Sequence, residues 1–374
     1  PVSVPSVDLV EIGAGGGSLA RVDQFGLLKV GPDSAGADPG PVSYDQGGTV
    51  PAVTDADVVL GLLDPDAFLG GDLPLNQDAA EAAIGELAEQ LGLSTADTAA
   101  GIHEVVNQNM AAAARMHGVE MGVDLRGVPV IAFGGAGPVH ACGVAELLEA
   151  DRVIFPVNAS VLSAFGTLVS PVRIDLARSM VRRLGGVDVN ERDALLDELR
   201  SEGKRILAAA GVPEEAIVFR YGVDARYAGQ GNEITVWLGE GLMWPSTDDV
   251  IAADFEREYQ RIYGMAIPDV DIEIVTWRLA VTAAAAPFEP GSSAETASSA
   301  APQGHRPMRF ARGAEAVIAP VYRREGLGVG VVIDGPAVIE ERETTSVIRP
   351  GWRAVVAKDG SVIAERLVPT EGVS

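Results

Sequence analysis

VPVIAFGGAGPVHACGVAELLEADRVIF, residues 128–155, is the stretch whose reading decides the fold class. Val128–Phe133 is a continuous apolar run of the length of a buried strand. Gly134-Gly135-Ala136-Gly137-Pro138 then turns the chain into a helix from Val139 to about Ala150, and Arg152–Phe155 is the next strand. Pro138 suits the first turn of that helix, where a missing N–H costs nothing. Strand, glycine turn, helix and strand in this order are the signature of an α/β protein.

Upstream, Asn76 caps a helix carrying Ala79, Ala83, Leu87 and Leu91, and Gly92 ends it. A second helix runs from about Thr95 to about His117 with Ala99, Ile102, Val106, Met110 and Ala113 on one face. The first 50 residues are too rich in glycine and proline for helices. They read as a short strand, Val7–Ile12, then a cluster at Gly13–Ser18, then loops and short strands. Downstream the pattern becomes α+β: helices near Asn190–Ala210 and Thr247–Tyr263, and strands near Ala216–Ala225, Glu233–Leu238 and Asp271–Thr282. The Ala/Ser/Pro-rich stretch 287–305 reads as a linker or long loop, and 306–374 as a β-rich segment. The expected division is therefore 1–168, 169–286, linker, and 306–374.

Composition narrows the function. The chain has 374 residues, 47% of them hydrophobic, which is enough for packed cores. Fifty-three acidic residues against 28 basic ones give a net charge of −25, and that field opposes a nucleic-acid groove. No apolar run reaches the ~20 residues that span a bilayer. Cys142 is the single cysteine, so there is no intrachain disulfide framework and a reducing cytoplasm is the expected location.

Candidate chemistry lies in a few clusters. The turn Gly134-Gly135-Ala136-Gly137 lets backbone approach a ligand at a helix N-terminus, or serves packing alone. Gly15-Gly16-Gly17-Ser18 offers a phosphate cradle with the Ser18 hydroxyl as donor, or a crowded crossing of strands. Asp55 and Asp57 would share a face of an extended segment and bind Mg²⁺ through water, or else cap a helix start. His103, His117, His140 and His305 show no metal-ligand spacing, and one cysteine argues against a structural zinc site. His140 either touches a nucleotide or lines the core, and Cys142 reads as buried. Arg226–Gln230 is a turn or a substrate or interface contact. These residues by themselves identify no catalytic group.

Longer motifs add a resemblance. Ile12–Asp23 (IGAGGGSLARVD), Val30–Pro41 (VGPDSAGADPGP), Thr54–Asp57, Leu60-Gly61, Ala132–Ala141 (AFGGAGPVHA), Ser163–Gly166, Arg226–Gln230 and Gly335–Glu341 with Thr344-Thr345 occur in that order. The chain thereby resembles the hydantoinase A/5-oxoprolinase family, related to acetone and acetophenone carboxylase subunits. The resemblance implies part of an actin-like/sugar-kinase (ribonuclease-H-like) ATPase core with ATP and Mg as cofactors, and Gly134–Pro138 against adenosine. It implies phosphorylation of a ring carbonyl in a small cyclic-amide substrate such as a hydantoin or oxoproline, with a ketone carboxylase subunit or a non-catalytic assembly subunit as alternatives. The expected partners are a hydantoinase B-type subunit and an N-terminal ATPase segment, because the family's Asp-x-Gly-Gly-Thr loops are absent and the chain matches the C-terminal part. Such a part is expected to be inactive alone, whether it is a fragment or a split subunit. Asp57 stands where the family usually has Asn.

Overall fold

The computed structural model describes residues 9–240, 244, 246–284 and 301–367. These form two units, one of 9–165 with 301–367 and the other from 166 to 284. The two units have different architectures.

In the first unit, β1 (Ser18–Val22) and β2 (Leu28–Ser34) make an antiparallel pair in which Ala20 faces Val30. Three helices follow: α1 (Val53–Val59), α2 (Gln77–Leu91) and α3 (Thr95–Glu120). Asn76 caps α2 by accepting from the Ala79 N–H at 3.0 Å, and Gly92 ends it in the left-handed region at φ 65°. The buried face of α2 is Ala80, Ile84, Leu87 and Ala88, one step round from the face set by Ala79 and Ala83. It packs with Val53, Ile102 and Val106, and each such aliphatic side chain taken fully from water contributes about 1.5–3 kcal/mol.

The quoted stretch gives β3 (Val130–Ile131), α4 (Gly137–Leu147) and β4 (Arg152–Phe155), with β3 and β4 parallel. The run 128–133 is not the buried strand expected. Only two residues pair, and Val128, Ile131 and Phe133 are 41%, 56% and 50% exposed. The reason is position, because among the described residues β3 is an edge of its sheet, and apolarity along a chain carries no information about how many neighbours a strand acquires. Residues 9–12 are likewise irregular rather than a strand, while Val7 and Asp8 lie outside the described residues.

The chain leaves this unit within α5 (Leu162–Val169). The second unit is an antiparallel sheet ordered β5 (Arg173–Arg183), β8 (Ile272–Ala283), β6 (Ile217–Tyr227), β7 (Ile234–Glu240), with α6 (Val189–Ala209) and α7 (Asp248–Tyr263) packed on it. Leu196, Leu199 and Leu207 of α6 meet Phe219, Tyr221 and Leu279, while Phe255 and Tyr259 of α7 meet Tyr227. The Arg226–Gln230 motif is the end of β6 and the turn that follows it, with Arg226 paired to Glu273 at 2.7 Å and Gln230 donating to the Tyr259 hydroxyl at 2.8 Å.

Beyond the linker, most of which lies outside the described residues, the regular elements are strands apart from a short 3-10 turn at Arg324–Gly326. The strands are β9 (Gly304–Met308), β10 (Val317–Arg323), β11 (Val332–Asp334), β12 (Ala337–Glu340), β13 (Thr345–Ile348), β14 (Trp352–Val356) and β15 (Val362–Arg366). They do not stand apart. β15 pairs antiparallel with β4, so that β11, β14, β15, β4 and β3 make one sheet over α4, and Trp352, Phe155 and Val153 share its core. β13, β12, β10 and β9 make a second sheet. Long-range pairing of this kind leaves no local mark in the sequence.

Candidate functional site

Two glycine turns, far apart in sequence, meet at one cavity. In the first, the Ser18 hydroxyl accepts from the Gly15 N–H at 3.0 Å and donates to the Gly13 carbonyl at 3.2 Å, closing the loop on itself. The Gly16 carbonyl accepts from both the Thr54 N–H and the Thr54 hydroxyl, at 2.8 and 3.0 Å. A Cβ on Gly16 would lie 2.8 Å from Thr54 Oγ1, a hydroxyl held by its bond to the Gly16 carbonyl, while one on Gly17 would lie 2.8 Å from Ser34 Oγ, which can turn aside.

The second turn differs. Gly134 sits at φ +87°, and the Gly134 and Gly135 carbonyls accept from the Thr344 hydroxyl at 3.2 and 2.9 Å. A Cβ on Gly135 would meet only the Glu343 carbonyl oxygen, at 3.5 Å, and one on Gly134 or Gly137 would meet nothing within 4 Å. Space is therefore kept open in front of this turn.

Between the turns lies a cavity of about 280 Å³. Gly16, Gly17, Gly135 and Ala136 line it, with Tyr44, Thr54, Phe68 and Val139, while Gly15, Ser18, Gly134 and Gly137 flank it. The far wall is Glu340–Thr345, at the junction of β12 and β13. Five carboxylates line the cavity (Asp57, Asp64, Glu340, Glu341, Glu343) against one guanidinium, that of Arg342. Arg306 tempers this by pairing with Asp64 at 2.9 Å and Glu340 at 3.0 Å. Burial pushes the Glu341 carboxyl above its usual range, against the pull of Arg324 at 3.9 Å.

The two aspartates singled out from sequence have different surroundings. Asp55 is fully buried and its carboxylate accepts from the N–H groups of Val42, Ser43 and Ala52 at 3.1, 2.7 and 2.7 Å. It occupies the third position of α1 and reaches back to the residue that caps it, the helix-start geometry weighed above. Asp57, one of the cavity-lining residues, faces α3 and α4 as well. His103 Nδ1 is 2.7 Å from Asp57 Oδ1, and His140 Nε2 is 3.5 Å from Asp57 Oδ2. The two imidazoles stack with centroids 4.6 Å apart, and His140 Nδ1 is 2.9 Å from Asn107 Oδ1. One ligand atom from each of Asp57, His103 and His140 lies within 4.8 Å of the others. Burial drives Asp57 up to about 7, His103 down to about 3 and His140 down to about 4.

Sequence spacing had hidden this cluster, since 46 residues separate Asp57 from His103. Chain neighbours show no metal motif, yet α1, α3 and α4 bring three donors together. One signal was present: His103 and Asn107 are four apart on α3 and so share a face. Thr344 carried only its place in a family motif, with no role attached to it, and Tyr44 and Phe68 carried no signal.

Comparison with known proteins decides the family. The Hydantoinase/oxoprolinase family model matches residues 1–176, and the Hydantoinase/oxoprolinase C-terminal domain model matches 189–360. The chain belongs to the hydantoinase/oxoprolinase family. Among its relatives, the caprolactamase subunit alpha of Pseudomonas jessenii is 37% identical over 358 residues, covering 94% of this chain and 51% of that one. The acetophenone carboxylase gamma subunit of Aromatoleum aromaticum is 34% identical over 383 residues, covering 98% and 52%. A nucleotide-free structure from a study of ATP-dependent acetone carboxylation superposes with a TM-score of 0.77 at 27% identity, covering 95% of this chain and 52% of the other. The ATP-dependent caprolactamase structure from P. jessenii gives 0.75 at 36%, with the same coverage. The mixed α/β fold is thus shared with both. This chain spans about half the length of the curated relatives it matches.

Within the hydantoinase/oxoprolinase family frame, both matched regions contribute to the cavity: the first supplies the two turns, and the second the wall at 340–345. Among the described residues no helix is long and apolar enough to cross a membrane.

Proposed function

We propose that this chain is the C-terminal part of an ATP-dependent cyclic-amide hydrolase that activates a ring carbonyl by phosphorylation, and that the cavity between the glycine turns receives the adenosine end of ATP. The observation that carries the reading is the space held open before Gly135 and Ala136, opposite Gly16 and Gly17, in a fold shared with ATP-dependent enzymes. The cavity suits a nucleoside. Apolar groups from Tyr44, Phe68 and Val139 and backbone from the turns offer contact for a base and sugar. Its carboxylates repel bare phosphates, so the triphosphate requires Mg²⁺ and basic or backbone donors from outside this cavity. An actin-like core, with the remaining ATPase segment supplying those loops, accommodates this division.

The chemistry follows from amide resonance. A ring carbonyl resists attack by water because nitrogen donates into it. Transfer of the γ-phosphoryl group to the carbonyl oxygen breaks the bond to the ADP leaving group, localises the C–N unsaturation and makes phosphate the eventual leaving group. Water, admitted with the help of a hydantoinase B-type partner, then opens the ring. Caprolactamase, whose name denotes a lactam substrate, supports this choice. The likeness to acetone carboxylase supports a second reading in which the same activated oxygen precedes carboxylation of a ketone.

The test is ADP release by the chain reconstituted with the remaining ATPase segment and a B-type subunit. Stimulation by 5-oxoproline, hydantoin or caprolactam without bicarbonate is expected. Stimulation only by a ketone with bicarbonate would install the second reading, and no stimulation by either, with ATP bound, would favour an assembly role.

A further inference from the structure

We propose that Asp57, His103 and His140 form a binding site for one divalent first-row transition ion at the floor of the cavity, with Zn²⁺ as the ion to test. The proposal does not depend on the nucleotide reading. It begins with hydrogens. An amide oxygen only accepts, so Asn107 Oδ1 at 2.9 Å places the His140 hydrogen on Nδ1 and leaves Nε2 with a bare lone pair. That Nε2 is buried, has no hydrogen-bond partner, and lies 3.5 Å from a carboxylate oxygen, Asp57 Oδ2. A proton between them would be shared over too great a distance for a good hydrogen bond. A cation would satisfy both lone pairs at once.

The donor set is suited to that cation. Ligand bonds of about 2.0–2.2 Å to imidazole nitrogen and carboxylate oxygen place neighbouring donors roughly 3.3 Å apart. The separations of 2.7 and 3.5 Å bracket that value. Two imidazoles with one carboxylate select a borderline transition ion over Mg²⁺ or Ca²⁺, which take oxygen ligands. The hydrogen bond from His140 to Asn107 is the outer contact that orients metal-binding histidines. Nearby Arg349 is itself engaged by Glu146 at 3.3 Å, which limits its repulsion of an ion. Three protein donors leave a coordination position open, and Asp57 is the member of the cluster that borders the cavity. An ion there would polarise an oxygen of whatever occupies that space. Binding displaces the hydrogen between His103 Nδ1 and Asp57, which leaves as a proton where the carboxyl carries it and moves to His103 Nε2 where the imidazole does.

The experiment uses the purified 374-residue chain without nucleotide. After chelation and gel filtration, Zn²⁺ is titrated by calorimetry in two buffers of different ionisation enthalpy, and retained metal is counted by mass spectrometry. One ion per chain is expected, at the same stoichiometry in both buffers. Asp57→Asn and His140→Gln should each weaken binding by more than about 100-fold, beyond the roughly 10–100-fold cost of losing an outer contact. His305→Gln, at an exposed site away from the cluster, should bind as the parent does. Should both cluster variants fail to fold, Co²⁺ in the parent chain decides, since a nitrogen/oxygen-ligated site gives visible d–d bands. Absence of stoichiometric Zn²⁺ uptake, absence of those bands, or undiminished affinity in folded His140→Gln would each overturn the assignment.

Discussion

Replacing Asp55 by alanine tests whether this carboxylate builds the site's framework. Its oxygens accept from three backbone N–H groups, two of them, on Ser43 and Ala52, in fully buried surroundings and the third, on Val42, partly so. Alanine removes all three bonds and leaves the two buried donors without water. An unsatisfied buried donor costs about 1–3 kcal/mol, while the Val42 N–H regains solvent at little cost. Two donors at ~2 kcal/mol each give a loss of about 4 kcal/mol, a large share of the 5–15 kcal/mol that typically holds a domain. Asparagine keeps one acceptor and turns an N–H₂ towards a backbone N–H, so it should lose about half as much. The assay is urea unfolding monitored by hydrogen exchange of residues 42–60, because three of the four tryptophans lie in the other unit. Protection of the Ser43 and Ala52 amides should fall with global stability. A loss below about 1 kcal/mol, with those amides still protected, would show that the carboxylate is not what anchors α1.

Three further outcomes follow from local geometry. Gly335→Ala should destabilise the first unit by several kcal/mol in thermal unfolding, because a Cβ there collides with the Arg349 carbonyl oxygen, whereas Gly137→Ala, with nothing within 4 Å, should shift stability by under ~1 kcal/mol. Cys142 is fully buried and its thiol is pushed up to about 12, so a disulfide reagent near neutral pH should label it only at the rate of unfolding, and prompt labelling of folded protein would contradict the packing. In chelated protein, His103 at about 3 and His140 at about 4 take up protons mainly on unfolding, so their contribution to stability falls as pH drops from 6.5 towards 4. Asp57, raised from 3.8 to about 7, works the other way, losing stability as pH rises through that window. Two histidines outweigh one carboxylate, and the variant carrying both His103→Gln and His140→Gln should lose less melting temperature on acidification than the parent.

Much of this was legible before any coordinates. The caps at Asn76 and Gly92 and a helix near Asn190–Ala210 follow from local rules, and the structure has them within a residue or two, whereas beyond the linker the individual strands could not be read from the sequence. The glycine turns could be picked out as a pair but not brought together, because nothing in Gly16 or Gly135 announces the contacts of Thr54 and Thr344 that position them. Asp55 and Asp57 look alike as letters. Their roles divide because residues 42–52 fold over one and α3 and α4 over the other. The edge position of β3 and the pairing of β15 with β4 are products of topology, and topology is where single-sequence reading ends.

The most direct test of the cavity's role is ATP or ADP affinity of Gly135→Val in the reconstituted assembly. A Cβ there meets only the Glu343 carbonyl oxygen at ordinary contact distance, and the variant is expected to fold and assemble. Its branched group would stand in the space assigned to the nucleoside, and nucleotide affinity should drop to the limit of detection. Unchanged affinity in a folded, assembled Gly135→Val enzyme would contradict the account, because the turn would then serve packing and the nucleotide would lie elsewhere.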